Sequence, residues 1–502
     1  MRKKLYKVHR TLSVIIAIPV LLWALSGFMH PLMTNIRPEV VTQTLPQLAI
    51  DPAHIQTDLA TALQKNRIDS ISSFRLVHID TTWFYQVVVP QKREPVYLST
   101  VNGKELTAGN WLYAQHLARQ FLEGPLSPGS SEAPPPAAPD AAASHDCCDA
   151  ATSCVLNGSR GARVADASMI TAFDKEYKSI NRLLPVYKVS FERPDGIRIY
   201  VETTQDRFAF AMDNKRAAFD TVFRLLHNWD WLDVLGNGRL VVLFLLTGTA
   251  FLTSVMGVYL FFATKSKMAN GNGLVKARYW HRYTAIVAAL FTLMWTFSGA
   301  WHALSKFRED TRGLHFEGKR FAATNLHWPF DSLQQTVKAP ITNISIVRMD
   351  TDTYWQIYTK NAGIQYVHTA DGSLLREGDA KYAVFLAGQF SGHPERAIRA
   401  VTPVTQFTNE YNFRDKLLPV WRVAYDRRQH ERYYVETRSG SLSVRIDDWD
   451  FMEGYSFALF HKHHFMEWGG KMLRDFSTML WALTQVVMVI VGLVLYMKWR
   501  SR

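Results

Sequence analysis

A chain of 502 residues that is 48% hydrophobic is long enough to hold several domains. Its formal net charge of +13 sits wholly in residues 1–10, 263–282 and 498–502, which carry 5, 5 and 3 lysines and arginines and no Asp or Glu. That placement removes nucleic-acid binding as the reason for the basicity.

Four stretches carry no charge at all: residues 11–29, 240–264, 283–301 and 476–497, of 19, 25, 19 and 22 residues. A helix rising about 1.5 Å per residue crosses a hydrocarbon core of about 30 Å in roughly 20 residues. These stretches predict an α-helical membrane protein with four transmembrane helices over 11–30, 240–264, 283–302 and 476–497. The first has the basic start and the Ala24-Leu25-Ser26 of a signal peptide. A near-copy in mid-chain argues that it is retained instead.

Short basic segments stay in the cytoplasm. The termini 1–10 and 498–502 and the loop 265–282 are therefore expected inside, and the long segments 31–239 and 303–475 outside.

The chain repeats itself. "HRTLSVIIAIPVLLWALSGFMH" (9–30) answers "HRYTAIVAALFTLMWTFSGAWH" (281–302), and "VHIDTTWFYQ" (77–86) answers "VRMDTDTYWQ" (347–356). "EYKSINRLLPVYKVSFERPDGIRIYVET" (176–203) answers "EYNFRDKLLPVWRVAYDRRQHERYYVET" (410–437). Each copy reads helix, external domain, helix in the same direction, a tandem parallel repeat. The external domains pattern as α+β. A short helix ("TDLATALQKN", "DSLQQTVKA") precedes alternating strands such as "SFRLVHI" and "TWFYQVVV", with turns at Asn102-Gly103 and Asp371-Gly372. A second helix at "YAQHLARQF" or "YAVFLAGQF" leads to a hairpin.

The first domain also carries an insertion at 124–164, rich in Pro, Ala, Ser and Gly and expected to be a disordered loop. It holds all three cysteines, Cys147, Cys148 and Cys154. They read as one disulfide plus a free thiol, or as a soft-metal site with His145; adjacent Cys147 and Cys148 are poor partners for each other.

Six of the 17 histidines occupy matching places. His9 and His281 open the first and third spans, His30 and His302 close them, and His227 and His461 precede the second and fourth. A single histidine at a helix end reads as interfacial polarity. Three symmetric pairs ask for more, because neutral imidazole is a good axial ligand and two of them facing a shared axis can clamp one haem. Gly27 and Gly299 lie three residues before His30 and His302, on the same helix face, where a missing side chain lets a flat macrocycle approach or lets helices pack.

The His-Arg before a span, the Ser-Gly near its end, "LLH" ahead of "GNGRLVVLFLLTG" and the intervening domains resemble the PepSY-associated transmembrane family, over nearly the whole chain except the insertion. That resemblance implies a bacterial inner-membrane, multi-pass protein with two periplasmic α+β PepSY-like domains. It further implies b-type haem, here two, and reduction of ferric iron or ferric siderophores at the periplasmic face. It makes His9, His30, His227, His281, His302 and His461 candidate haem ligands, with the outer pairing open between His30/His302, His227/His461 or one of each.

His9 and His30 are 21 residues apart, about 31 Å along a helix. Trp23 and Trp295 lie between the levels as relay candidates, with packing as the plainer alternative. No G-x-G-x-x-G and no large cytoplasmic segment offers a flavin or nicotinamide site. A cytoplasmic reductase or membrane quinol is the expected donor. "HKHHFME" (461–467) adds His463, His464 and Glu467 as secondary substrate-metal contacts, with His461, His464 and Glu467 at i, i+3, i+6. A non-redox, membrane-anchored binding or regulatory protein is the main alternative, and a component of metal or haem uptake the second.

Overall fold

The computed structural model describes residues 2–90, 92–124, 163–265, 273–308, 314–316, 318, 320–327, 330–412 and 417–501. His145 and the three cysteines lie outside the described residues.

The chain divides into two compact units, one of residues Met1–Arg37, Lys215–Asp310 and Ile446–Arg502, the other of Pro38–Asn214 and Thr311–Arg445. The first is built on four long helices: Arg2–Asn35, Gly238–Ala263, Gly273–Ser305 and Gly470–Arg500. Three of them run well past the uncharged stretch they contain, because backbone hydrogen bonding continues into the polar flanks. The first helix passes without interruption through Pro19 and Pro31. Contacts join first to second, second to third, third to fourth and fourth to first.

The polarity of this unit is inside out. Ser26, Ser298, Thr253, Thr292, Thr296 and Gln485 are buried, while Ile15, Ile18, Leu252, Phe262, Leu290 and Ile490 face outward. In water that arrangement costs about 25 cal/mol for each Å² of exposed apolar surface. In hydrocarbon it is the stable one, since helices there associate through small and polar side chains. With all four helices long and apolar enough to span, the chain is a multi-pass membrane protein.

Before the second and fourth of these helices the chain makes the same unusual passage. An α-helix (Asn214–Phe223; Asp448–Ser456) runs into a single π-helical turn (Arg224–Asn228; Phe457–His461). A residue with positive φ follows, Trp229 at +55° or His463 at +53°. Short 3-10 helices, Asp230–Leu235 and His464–Gly469, complete the passage. They turn apolar side chains outward: Trp231, Val234 and Leu235 in one, Phe465 and Trp468 in the other, with Val234 88% and Trp468 81% exposed.

The second unit is α+β. Strands Ser73–Ile79, Thr82–Val88 and Val96–Ser99 form one antiparallel sheet, and Ile341–Met349, Asp352–Thr359 and Gly363–His368 another. The expected turns are present: Gly103 (φ +73°) and Gly372 (φ +70°) donate backbone N–H to Ser99 and His368 at 2.9 and 3.0 Å. Each sheet is followed by a helix, Gly109–Glu123 or Gly378–Ser391. Its first residue must be glycine, because a Cβ at Gly109 or Gly378 would stand 2.8 or 2.7 Å from the ring of Tyr97 or Tyr366. A four-stranded sheet (Val164–Ile170, Val186–Phe191, Arg198–Glu202, Arg207–Met212) completes the first half. A five-stranded one (Ile398–Val404, Val420–Tyr425, Arg432–Glu436, Ser441–Ile446, Leu314–His315) completes the second.

The two halves of this unit share one core, in which Leu59, Leu63, Phe74 and Tyr85 meet Ile344, Trp355 and Ile357. Asn343 seals the seam, accepting from Leu76 N–H at 2.9 Å and donating to its carbonyl at 2.8 Å. Arg207 and Glu436 add a buried ion pair across it.

Candidate functional site: two tiers of histidines

The six matched histidines fall into two groups within the membrane unit. His9 and His281 make the first tier, each packed on a glycine of the next helix along the chain. The His9 ring lies on Gly257, where a Cβ would come within 3.2 Å of its Cε1, and His281 lies on Gly492 with the corresponding distance 3.1 Å. His9 Nδ1 is 3.2 Å from the Thr253 carbonyl. His281 lies near the Met488 backbone, and its buried Nδ1 has no hydrogen-bond partner among the described residues. Thr253 and Met488 each stand four residues, one helical turn, before the glycine that seats the ring. The two imidazoles are close enough to act on each other electrostatically.

The second tier gathers His30, His227, His302 and His461. The rings of His227 and His461 are 6.0 Å apart and nearly perpendicular, at 83°. His30 and His302 are near enough to act electrostatically on both. Burial first, and neighbouring imidazoles second, pull His227 down to about 4 and His461 well below the ordinary histidine range. Both are therefore neutral around pH 7, the form in which imidazole binds metal.

Hydrogen bonding fixes which nitrogen is free. Ser26 Oγ donates to the Leu22 or Trp23 carbonyl (2.9 and 3.0 Å), so toward His227 Nδ1, at 2.9 Å, it accepts. Ser298 does the same between the Trp295 carbonyl and His461 Nδ1, both at 3.2 Å. His302 donates Nδ1–H to Glu453 Oε1 at 2.6 Å. In each case the assigned proton is on Nδ1 and the lone pair on Nε2. Phenylalanines lock the rings from the side: Phe223 stacks on His227 at 4.8 Å and Phe457 on His461 at 4.6 Å, both pairs inside or beside the π turn. A π turn is rare and frequent at functional sites.

The remaining candidates have partners within the protein. Gly27 and Gly299 lie at helix seams. A Cβ there would meet Ala482 at 3.8 Å or Thr247 at 3.7 Å, ordinary contact across a helix seam, so these are packing glycines. Trp23 and Trp295 are held as structural partners: Trp23 donates to the His227 carbonyl at 3.1 Å and stacks on Trp229 at 5.4 Å, while Trp295 stacks on His463 at 5.3 Å and 4°.

His463, offered by the sequence as a substrate-metal contact, is turned inward. It is fully buried, with Nδ1 3.1 Å from Ser477 Oγ. His461, His464 and Glu467 do not share a helical face, because the positive φ at His463 breaks the helix between them. Glu467 pairs instead with His464 at 3.3 Å and Arg474 at 3.0 Å. Among the described residues no three His, Cys, Asp or Glu side chains come together to hold a metal ion.

Sequence reasoning missed the residues that orient the imidazoles. Ser26 and Ser298 were visible as a repeated Ser-Gly, but the glycine drew the functional reading. Gly257 and Gly492 stand at matching places in the second and fourth helices and were readable once the copies are aligned. Glu453 had no such signal, since Phe219 stands at its counterpart.

No curated protein matches the chain. The family profile described as the PepSY-associated TM region matches residues 126–498, about three quarters of the chain and three of its four membrane helices. By that match the chain belongs to the PepSY-associated TM region family.

Proposed function

We propose that this protein is a haem-carrying membrane oxidoreductase that moves electrons across the bilayer to ferric iron or a ferric siderophore, releasing Fe(II). The observation that carries the reading is the hydrogen bonding of His227 and His461. A membrane-helix serine engages Nδ1 of each, which leaves two neutral Nε2 lone pairs in one half-buried cluster. Metal-binding histidines are oriented this way, by a partner on the other ring nitrogen. The donor set therefore fits a haem, with His9 and His281 holding one and two of the four second-tier histidines holding another. Bound there, haem supplies a one-electron Fe(III)/Fe(II) couple.

The chain's own part is to keep the ligands neutral and fix their tautomers. The positive-inside pattern supports an inner-membrane placement with both termini cytoplasmic. The shared element order of the two halves supports a tandem repeat of PepSY-like domains, which on that topology are periplasmic. The electron donor is then a cytoplasmic reductase or a quinol of the phospholipid bilayer.

The test is a dithionite-reduced minus oxidised spectrum with pyridine-haemochromogen stoichiometry, on wild type and on His9→Ala/His281→Ala. Sharp b-type bands near two haems per chain, reduced in the variant, are expected. A featureless spectrum after expression with ample haem would overturn the reading and leave a non-redox binding protein.

A further inference from the structure

The second tier is symmetric in its serines and phenylalanines but not in its charge. Among the described residues, His302 is the one of the six matched histidines with a carboxylate hydrogen-bonded to it, Glu453 Oε1 at 2.6 Å from Nδ1. Glu453 is carried on Asp448–Ser456, the helix that leads into the π turn of His461. At the counterpart of Glu453 stands Phe219, and the ring of Phe223 lies 5.5 Å from that of His30. The charges acting on His30 are mostly cationic, from Lys462, Arg216 and Arg474, with Asp475 opposed. One end of the tier is thus electron-rich and the other is not.

We propose that Glu453 is a positioning residue that makes His302 the most electron-donating ligand of the second tier and so lowers the reduction potential of the iron it binds. This rests on the haem reading above, with His302 as one of the two second-tier ligands. A hydrogen bond of 2.6 Å from a ring N–H to a carboxylate gives the imidazole partial imidazolate character. An anionic donor favours Fe(III) over Fe(II), which displaces the couple downward. The effect falls on one tier only: His9 Nδ1 faces the backbone carbonyl of Thr253, which carries no net charge, and His281 Nδ1 meets no carboxylate among the described residues.

The asymmetry bears on substrate class. A strong ferric chelator lowers the potential of the iron it holds, because it binds Fe(III) far more tightly than Fe(II). Only a low-potential donor delivers an electron to such a complex, whereas weakly chelated Fe(III) accepts one from a much milder donor. A carboxylate-backed histidine in the second tier therefore fits a tight ferric siderophore better than loosely bound ferric iron.

The experiment is a spectroelectrochemical titration of the full-length, haem-loaded protein in lipid nanodiscs, for wild type, Glu453→Gln and Glu453→Asp. Glu453→Gln keeps a hydrogen-bond acceptor and removes the charge. It is expected to raise one component's midpoint by a tenfold change in its reduction equilibrium, about 59 mV for one electron, with haem content and the other component unchanged. Glu453→Asp keeps the charge and is expected to stay within about threefold of wild type. Glu453→Gln should also slow reduction of a hydroxamate-bound ferric ion at least tenfold more than that of ferric citrate.

Midpoints that do not move while haem is retained would overturn the proposal. So would two components that move together, or an Asp variant displaced as far as the Gln variant. Wild-type protein that binds no haem would overturn the reading beneath it as well, and the spectrum alone separates that result from the others.

Discussion

Residues 224–238 and 457–470 trace the same path with different side chains. Both make a π turn ending near a histidine, then a residue with positive φ, then a 3-10 helix into a membrane span. At the positive-φ position one has Trp229 and the other His463. Trp229 stacks on Trp23 and donates its indole N–H to Leu226 at 3.0 Å. His463 stacks on Trp295 and engages Ser477. A left-handed backbone is disfavoured for a bulky side chain, yet both halves adopt it. The stack on the facing tryptophan, not the identity of the ring, holds the passage in place. The feature common to both halves is the orientation of the histidine two residues earlier.

The comparison is broken most directly at the histidines. On the proposed haem reading, His302→Ala and whichever of His227→Ala and His461→Ala removes its partner on the iron are expected to reduce second-tier haem more than tenfold; pyridine-haemochromogen counts check this. Equal large losses at His227 and His461 with none at His302 would instead pair those two and remove His302 from the iron. The serines come next. Ser26→Ala and Ser298→Ala remove the partner of Nδ1 and are expected to weaken haem retention about 10–100-fold, measured by haem transfer to apomyoglobin.

Gly257→Ala and Gly492→Ala sharpen the contrast between tiers. The new Cβ forces His9 or His281 to move by a few tenths of an ångström, and a few-fold loss confined to first-tier haem is expected. Gly27→Ala and Gly299→Ala, with ordinary contact distances, should leave the spectrum unchanged. Exchanging the rings, Trp229→His or His463→Trp, is expected to alter stability by about 1 kcal/mol, the scale of one aromatic pair, in thermal melts followed by tryptophan fluorescence.

The smallest effect lies in the other unit. Burial would raise the Glu176 carboxyl, but hydrogen bonds from Arg198 (2.7 and 2.9 Å) and Tyr200 (2.5 Å) outweigh it and hold it at about 2. A carboxylate depressed on folding stabilises the folded state above its unfolded value of about 4.3 and loses that contribution as the pH falls toward 2. Screening at this partly exposed site reduces it to about 1 kcal/mol. Glu176→Gln should therefore lower stability at pH 7 by that amount and flatten the acid limb between pH 4 and 2, in urea titrations.

The spans were legible because absence of charge over about 20 residues has one dominant physical cause. The strands around Phe74 and Tyr85 were legible because alternation survives in a half-buried sheet. The matched histidines were legible as spacing. Their chemistry was not, because each second partner comes from a distant part of the chain: Thr253 for His9, Ser26 for His227, Glu453 for His302. Three-residue spacing put Gly27 and His30 on one face correctly, but it does not say which neighbour that face meets. The helical spacing of His461, His464 and Glu467 failed for a local reason, since nothing in "HKHH" announces a left-handed residue.

The outward-turned side chains of the two 3-10 helices act as a waterline for the membrane unit. Trp231, Val234 and Leu235 on one side and Phe465 and Trp468 on the other stand exposed, and residues of this kind settle at the boundary between headgroups and acyl chains. Two such floats fix the draught of the unit at the level of His227 and His461. A bilayer that thins or thickens then tilts the long helices before it wets or drowns the second tier.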